Sequence, residues 1–309
     1  MSIVRNNVAQ LYTPIYDKFM LESYNAEPMV CKEVYDVIVD PTKEWKYDEL
    51  TQLGIWVDAT EGASGGYSDP VLGYPKTITP AKVWQKFKVS FESVDQDEYA
   101  LIKQIGKAQS IGRGLVAHME KSTANYLIDG FGSSATSPDG EFLWDTDHPK
   151  NRDETGTVYD NLLSDAFSHD ALEDAETQIT NNFIDSTGIP ILPSEDPILL
   201  YPPALRGAVK RVLADRALEQ PDTTMRNINR FAGMYRPIEW RWLAAKFGGS
   251  DTAWFIIYPS LGFLKIVKNA EAHFTSWIDE DTENYHFKGR VLYDWGATNW
   301  RAGFASTGV

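Results

Sequence analysis

The sequence is poor in the residues that make cross-links and metal cages. Cys31 is the single cysteine among 309 residues, which excludes an intrachain disulfide and any multi-cysteine zinc site and suits a reducing compartment. There are five histidines, and none pairs with another at the helical spacing of an H-E-x-x-H metal motif. No apolar run approaches the length of a membrane span, and Met1 to Gln10 shows no signal-peptide pattern, so no membrane partner is expected. Cations are scarce as well: 29 Lys plus Arg stand against 44 Asp plus Glu, a formal charge of −15. Such acidity repels phosphate backbones and argues against direct nucleic-acid binding. It suits a wall that surrounds nucleic acid without adhering to it, and equally a surface that is merely kept soluble.

What is present can fold. Hydrophobic residues make up 43% of the chain and include ten tryptophans, enough for one large or two modest domains and incompatible with disorder. The organising stretch runs from Asp95 to Gly132, where the spacing predicts one long helix. Leu101, Ile105, Ala108, Gly112, Leu115, Met119, Ser122 and Tyr126 alternate at four and three and line one face. Asp95 with Glu98 resembles a capping box, Asp97 adds charge that the helix dipole favours, and Gly130 and Gly132 supply the stop. The rod would be roughly 50 Å long, about twice what a small domain's core covers. Gly106, Gly112 and Gly114 inside it predict close backbone approach or a bend. It reads as a spine across which other segments, or other subunits, are laid.

Residues 1–44 read as an arm. Val8, Leu11, Ile15, Phe19 and Met20 form an amphipathic helical pattern, and Tyr35 to Val39 a strand ended by Asp40-Pro41. Too short for a core and too apolar to float free, the arm must lie on its own body or on a neighbour. Residues 45–92 read as a two-stranded excursion with Leu53–Asp58 and Val83–Phe91 as its limbs. On the returning limb Val83, Gln85, Phe87, Val89 and Phe91 share one face, and Trp84, Lys86, Lys88 and Ser90 the other. That limb carries Lys76, Lys82, Lys86 and Lys88 and no acid until Glu92. The outgoing limb carries Asp48, Glu49, Asp58, Glu61 and Asp69 against Lys46 alone. A solvated hairpin and a docked one both accommodate this segregation; the marginal stability of an isolated ribbon in water favours docking onto an acidic partner surface.

Beyond the spine, a loop region to Asn161 turns at Pro138-Asp139-Gly140. A helix opens at Ser168 and runs to Phe183. The strand Ile198–Tyr201, stopped by Pro202-Pro203, precedes a helix Ala204–Ala217. Strands are then predicted at Pro237–Leu243, Ala253–Tyr258, Leu264–Val267 and His286–Tyr293, an α+β layering. Trp240, Trp242, Trp254 and Trp277 read as core or half-buried strand residues.

Catalytic motifs are weak. Gly62-Ala63-Ser64-Gly65-Gly66 matches the letters of a nucleophile elbow, but Pro70 and Pro75 follow where a helix is required. Asp145-Thr146-Asp147-His148 offers two carboxylates and an imidazole, a metal-site fragment without a second ligand cluster. Gly106 to Gly114 has neither P-loop spacing nor a βαβ context. No catalytic residue, metal or cofactor is expected, and the chain is not read as an enzyme. A serine- or metal-dependent hydrolase using Ser64 or the 145–148 loop is the alternative.

A resemblance enters from Asp139 onward. Asp139-Gly140, Leu143, Asp147-His148-Pro149 and Asn161-Leu162 lead into Ala171-Leu172-Glu173. Gly188-Ile189-Pro190, Pro197-Ile198-Leu199-Leu200, Pro202-Pro203-Ala204-Leu205 and Val212-Leu213 follow. This succession resembles the major capsid proteins of tailed bacteriophages, particularly the Mu-like major head subunit group. The ending, Tyr293-Asp294-Trp295-Gly296 and Asn299-Trp300-Arg301-Ala302-Gly303, is similar to that group's tryptophan-arginine-glycine close, with Ala302 intervening. The resemblance implies the Hong Kong 97-like α+β fold. Its parts would be an N-arm (1–44), an extended β-hairpin E-loop (45–92), a peripheral domain with the spine helix (93–165, completed by 284–309) and a mixed α/β axial domain (166–283). It implies self-assembly into hexamers and pentamers of an icosahedral head in the virion, built in the bacterial host cytoplasm, with DNA held by enclosure only. A separate scaffolding protein and a portal are expected partners, because no long charged helical segment precedes the arm; a decoration protein stays open. Another phage structural part, a tail tube or sheath subunit, is a further alternative. Lys76, Lys82, Lys86 and Lys88 are expected to meet carboxylates of a neighbour, with Asp95, Asp97 and Glu98 as candidates, and no covalent cross-link is expected.

Overall fold

The computed structural model describes the chain from residue 17 onward, except residues 50–52, 54, 57, 59–60, 62–66, 68–72, 91, 93–99, 151, 153–157, 186, 192–196 and 214–228 and the side chains of 100–105. A helix over residues 17–26 (α1), a single turn Cys31–Val34 (α2) and strand β1 (Asp36–Val39) come first. β2 (Trp45–Tyr47), β3 (Lys76–Ile78) and β4 (Ala81–Val89) precede the long helix α3 (Ala100–Asp129). Short strands β5 (His148–Pro149), β6 (Val158–Tyr159) and β7 (Leu162–Leu163) lead to α4 (His169–Asn182), β8 (Ile198–Tyr201) and α5 (Arg206–Val212). β9 (Arg236–Glu239), β10 (Trp254–Ile257), β11 (Leu264–Lys268), β12 (His273–Ile278), β13 (Tyr285–Ala297) and β14 (Gly303–Ser306) complete the described order.

The expected spine is α3, 30 residues or roughly 45 Å of helix. The capping residues proposed for it, Asp95, Asp97 and Glu98, lie outside the described residues. Its buried stripe is Ala108, Ile111, Val116, Met119, Thr123, Ala124 and Leu127, whereas the predicted Leu115, Ser122 and Tyr126 are only half-buried. The stripe is displaced because the helix is covered from two sides, by α1 and by the sheet that carries β4 and β13. Of the three interior glycines, Gly112 meets a close backbone: a Cβ there would collide with the Met20 carbonyl and the Ser23 hydroxyl. Gly106 faces open space, so its predicted close approach is not found.

One five-stranded sheet runs β1-β11-β13-β12, with β4 along the N-terminal half of β13. The expected pairing of Val83–Phe91 with Leu53–Asp58 is therefore wrong. The returning limb pairs with β13 from Ala81 opposite Tyr293 to Val89 opposite Tyr285. Leu53, Ile55, Trp56 and Asp58 belong to no strand and are exposed. β13 supplies what that segment cannot, nine consecutive partners with matching apolar alternation; Phe87 stacks on its cross-strand partner Phe287 at 4.6 Å. The excursion is instead closed at its base, where β2 pairs with β3. The sheet also ignores the boundary expected at 283, since β11 and β12 both hydrogen-bond to β13.

In a second sheet, β7-β14-β10-β8-β9, the three central strands are buried on both faces. Ile198, Leu200, Phe255 and Ile257 join the cluster around the spine, and Leu199, Trp254, Ile256 and Phe304 join the one beneath α4. Continuous apolar runs such as Trp254–Ile257 are what double burial demands. Ser168 caps α4 as predicted, its hydroxyl accepting from the Ala171 N–H at 3.1 Å. The described part of the helix expected at 204–217 is a 3-10 turn, Pro203–Leu205, followed by α5; residues 214–217 lie outside the described residues. The described part of the arm lies on its own body. Met20, Tyr24, Cys31, Val34 and Tyr35 are buried in the spine cluster, and β1 runs parallel to β11.

Candidate functional site

Strand alternation builds one unusual surface. On β4 the outward residues are Lys82, Trp84, Lys86 and Lys88; their partners on β13 are Leu292, Arg290, Lys288 and His286. On β12, Trp277 stands opposite His286 and His273 opposite Arg290. Five cations, two imidazoles and two indoles thus share one face of three strands in a chain of net charge −15. Trp84 is half exposed and ringed by ammonium groups, with Lys86 at 5.2 Å, Lys288 at 5.9 Å and Lys82 at 6.0 Å from its centroid. Trp277 stacks on His286 at 5.1 Å. Among the described residues no carboxylate lies within 4 Å of Lys82, Lys86 or Lys88. Carboxylates are the groups such a cationic, partly aromatic face complements chemically.

The predicted lysines divide. Lys82, Lys86 and Lys88 stand together on this face, whereas Lys76 is engaged within its own chain. Its ammonium donates to the Thr136 carbonyl at 3.1 Å. Burial pushes the Lys76 amine down from its ordinary value, opposed by Asp139 and Asp294. Asp95, Asp97, Glu98 and Ser64 lie outside the described residues.

The loop once considered for metal has a different use. His148 Nδ1 meets the Asp139 carboxylate at 2.8 Å with both side chains buried, and the ring stacks on Trp300 at 4.8 Å. Arg301 packs on the same indole at 4.3 Å and donates to the Lys150 carbonyl at 3.1 Å and to Asn299 Oδ1 at 3.2 Å. Asn299 in turn donates to Glu49 at 3.2 Å. Burial drives the Arg301 guanidinium down to about 10, with Glu49, Asp185 and Asp139 holding it up. Burial likewise raises the Glu49 carboxyl, while Arg301 and Asn299 lower it. This knot ties the base of the excursion to the chain's end. A fully covered imidazole offers no access to substrate, and among the described residues no three His, Cys, Asp or Glu side chains gather as a metal site.

Two polar anchors escaped the sequence reading. Glu120, buried on α3, accepts from the Cys31 N–H at 2.9 Å and from Trp240 Nε1 at 2.6 Å, joining arm, spine and second sheet. Asn161 donates to the Leu143 and Trp300 carbonyls at 2.9 and 3.0 Å and accepts from the Asp145 N–H at 2.9 Å. The sequence signal for Glu120 was its place beside Met119, one turn on from Val116, in the phase of the apolar stripe.

The sequence matches no family model and no curated protein sequence. Solved structures do match. The capsid of cyanophage P-SCSP1u superposes with a TM-score of 0.64 at 11% identity, covering 91% of this chain and 88% of that one. The mature capsid of bacteriophage PhiM1 gives 0.57 at 14% identity, covering 91% and 87%. The procapsid of bacteriophage JBD30 gives 0.51 at 17%, covering 99% and 76%. The fold is that of Hong Kong 97-like capsid subunits.

Proposed function

We propose that this chain is a structural shell subunit, the major head protein of a tailed phage, which assembles into hexamers and pentamers of an icosahedral capsid around double-stranded DNA. The observation that carries the reading is a capsid fold matched over 91% of the chain. The order of motifs from Asp139 to Gly303 favours the Mu-like group within that class. A separate scaffolding protein and a portal would act during assembly in the host cytoplasm, and the mature protein would reside in the virion. The proposed parts keep the arm (1–44), the extended loop (45–92), the peripheral domain (93–165 with 284–309) and the axial domain (166–283), with β11 and β12 joining the peripheral sheet on pairing grounds.

Assembly on this reading works by complementary surfaces. The described arm is spent on its own subunit, so the extended loop is what crosses to a neighbour. Lys82, Lys86 and Lys88 would receive carboxylates there, with Asp95, Asp97 and Glu98 of the neighbour as candidates. Electron microscopy of the expressed protein, with a scaffold where needed, tests the whole: closed shells are expected. Tubes would point to a tail component, and a monomer with esterase or metal-dependent activity to a hydrolase.

A further inference from the structure

Between the spine and the β4–β13 sheet lies a cleft of about 210 Å³, below the ~300–1,000 Å³ of small-molecule sites and suited to one large side chain. Val83, Ile111, Leu115 and Phe274 give it apolar walls, and Arg290 and His118 are exposed at its lining. Two glycines border it. A Cβ on Gly289 would stand 2.7 Å from Ile111 and 3.0 Å from Phe274, and one on Gly114 would stand 2.9 Å from Gln85 Oε1. The ammonium groups of Lys82, Lys86 and Lys288 surround Trp84, which also lines the cleft.

Elsewhere on the same chain is a group that matches. Trp56 is 98% exposed, the most exposed of the ten tryptophans, with Ile55 at 72% and Leu53 at 58% beside it. Asp58 and Glu61 follow, both exposed. Trp56 does not fill the cleft of its own chain, and leaving an indole in water forgoes the burial that makes aromatics interface anchors. We propose that Trp56 of one copy seats in this cleft of a second copy, with Asp58 and Glu61 set against Arg290. The inference rests on the shell-subunit reading and names the anchor of its subunit contact. An indole in a desolvated slot beside complementary charge is the usual arrangement of an interface hot spot.

Cross-linking tests it. Cys31 is buried, and burial followed by Glu120 pushes its thiol up, so an introduced pair reacts without competition. In an Ile55→Cys, Gln85→Cys double variant, which keeps Trp56 as the anchor, oxidation with diamide is expected to give a covalent ladder above dimer on a denaturing gel, which neither single variant gives. Shells without a ladder overturn the cleft contact and leave the shell reading standing. A ladder without shells supports the contact and overturns the shell reading, and the absence of both sinks both. Gly114→Leu supplies a second arm. Its Cβ meets only the flexible end of Gln85, so the variant folds with an unchanged or raised Tm. With the slot occupied, the protein concentration needed for assembly rises at least about tenfold; assembly at the unaltered concentration overturns the proposal.

Discussion

Residues 17–39 and residues 48–75 are both apolar excursions from the main body, and they end in opposite states. The first carries Met20, Tyr24, Cys31 and Val34 into the spine cluster, and its backbone is secured by β1 pairing with β11 and by Glu120 accepting from Cys31 N–H. Among its described residues the second leaves Leu53, Ile55, Trp56 and Tyr67 in solvent, and its base is fastened by β2–β3 and by Glu49 held by Asn299. Hydrophobic content does not separate them. What does is whether the same chain offers a polar and steric counterpart: Gly112 clears a seat for α1, while Trp56 stays 98% exposed on its own subunit. On the proposed reading the described arm belongs to the fold and the loop to the assembly.

The difference is sharpest at Glu120. Glu120→Ala leaves the Cys31 N–H and the Trp240 Nε1–H buried without acceptors. At roughly 1–3 kcal/mol for each stranded donor, urea denaturation should show a loss of about 4 kcal/mol. A loss below about 1 kcal/mol would mean that the arm is not part of the cooperative unit. Met20→Ala comes next. The side chain is fully buried and its removal should cost about 3 kcal/mol, with the midpoint shifted and the slope nearly kept.

How far the sequence reveals this depends on whether a position's partner is local. The spine was legible from spacing, α4 from Ser168 and its apolar period, and β8 and β10 from continuous apolar runs; each signal sits within one element. β12 and β14 were not seen, because His273–Ile278 mixes polar and aromatic residues and becomes a strand by pairing with β13, and Gly303–Ser306 is short and becomes one only through β10, about fifty residues back. For the same reason β4 was paired with the wrong segment: its alternation announces a strand but not a partner. The lysine face was half visible. Lys82, Lys86 and Lys88 follow from period two, but Lys288 and Arg290 join them only through the register of β13. Asp139 and His148 were singled out for a turn and a loop, and nothing in their spacing shows that they meet.

A smaller effect lies beside the cleft. His118 Nδ1 stands 2.6 Å from the Tyr293 hydroxyl, and burial, then Lys121, lowers its pKa from the ordinary histidine value. A base with a depressed folded-state pKa is protonated first in the unfolded chain, so the stability it supports is present above about pH 6.5 and is lost as pH falls below that. His118→Gln should flatten this acid limb relative to the parent, by less than either substitution above because the imidazole is partly solvated. An unchanged limb would place the acid sensitivity in other groups.

The last comparison sets Trp56→Ala beside Met20→Ala. By area alone the indole is the larger loss, and in a core it would cost about 3–5 kcal/mol. Exposed in the isolated subunit, it should change the denaturation midpoint by no more than about 0.5 kcal/mol, while Met20→Ala costs several times that. Assembly should rank the two the other way: at equal folded concentration the Met20 variant still forms shells and the Trp56 variant does not. Should Trp56→Ala unfold the subunit instead, the loop would be buried on its own body in solution, and the distinction between a segment that completes the fold and one that completes the shell would fail at the residue on which it most depends.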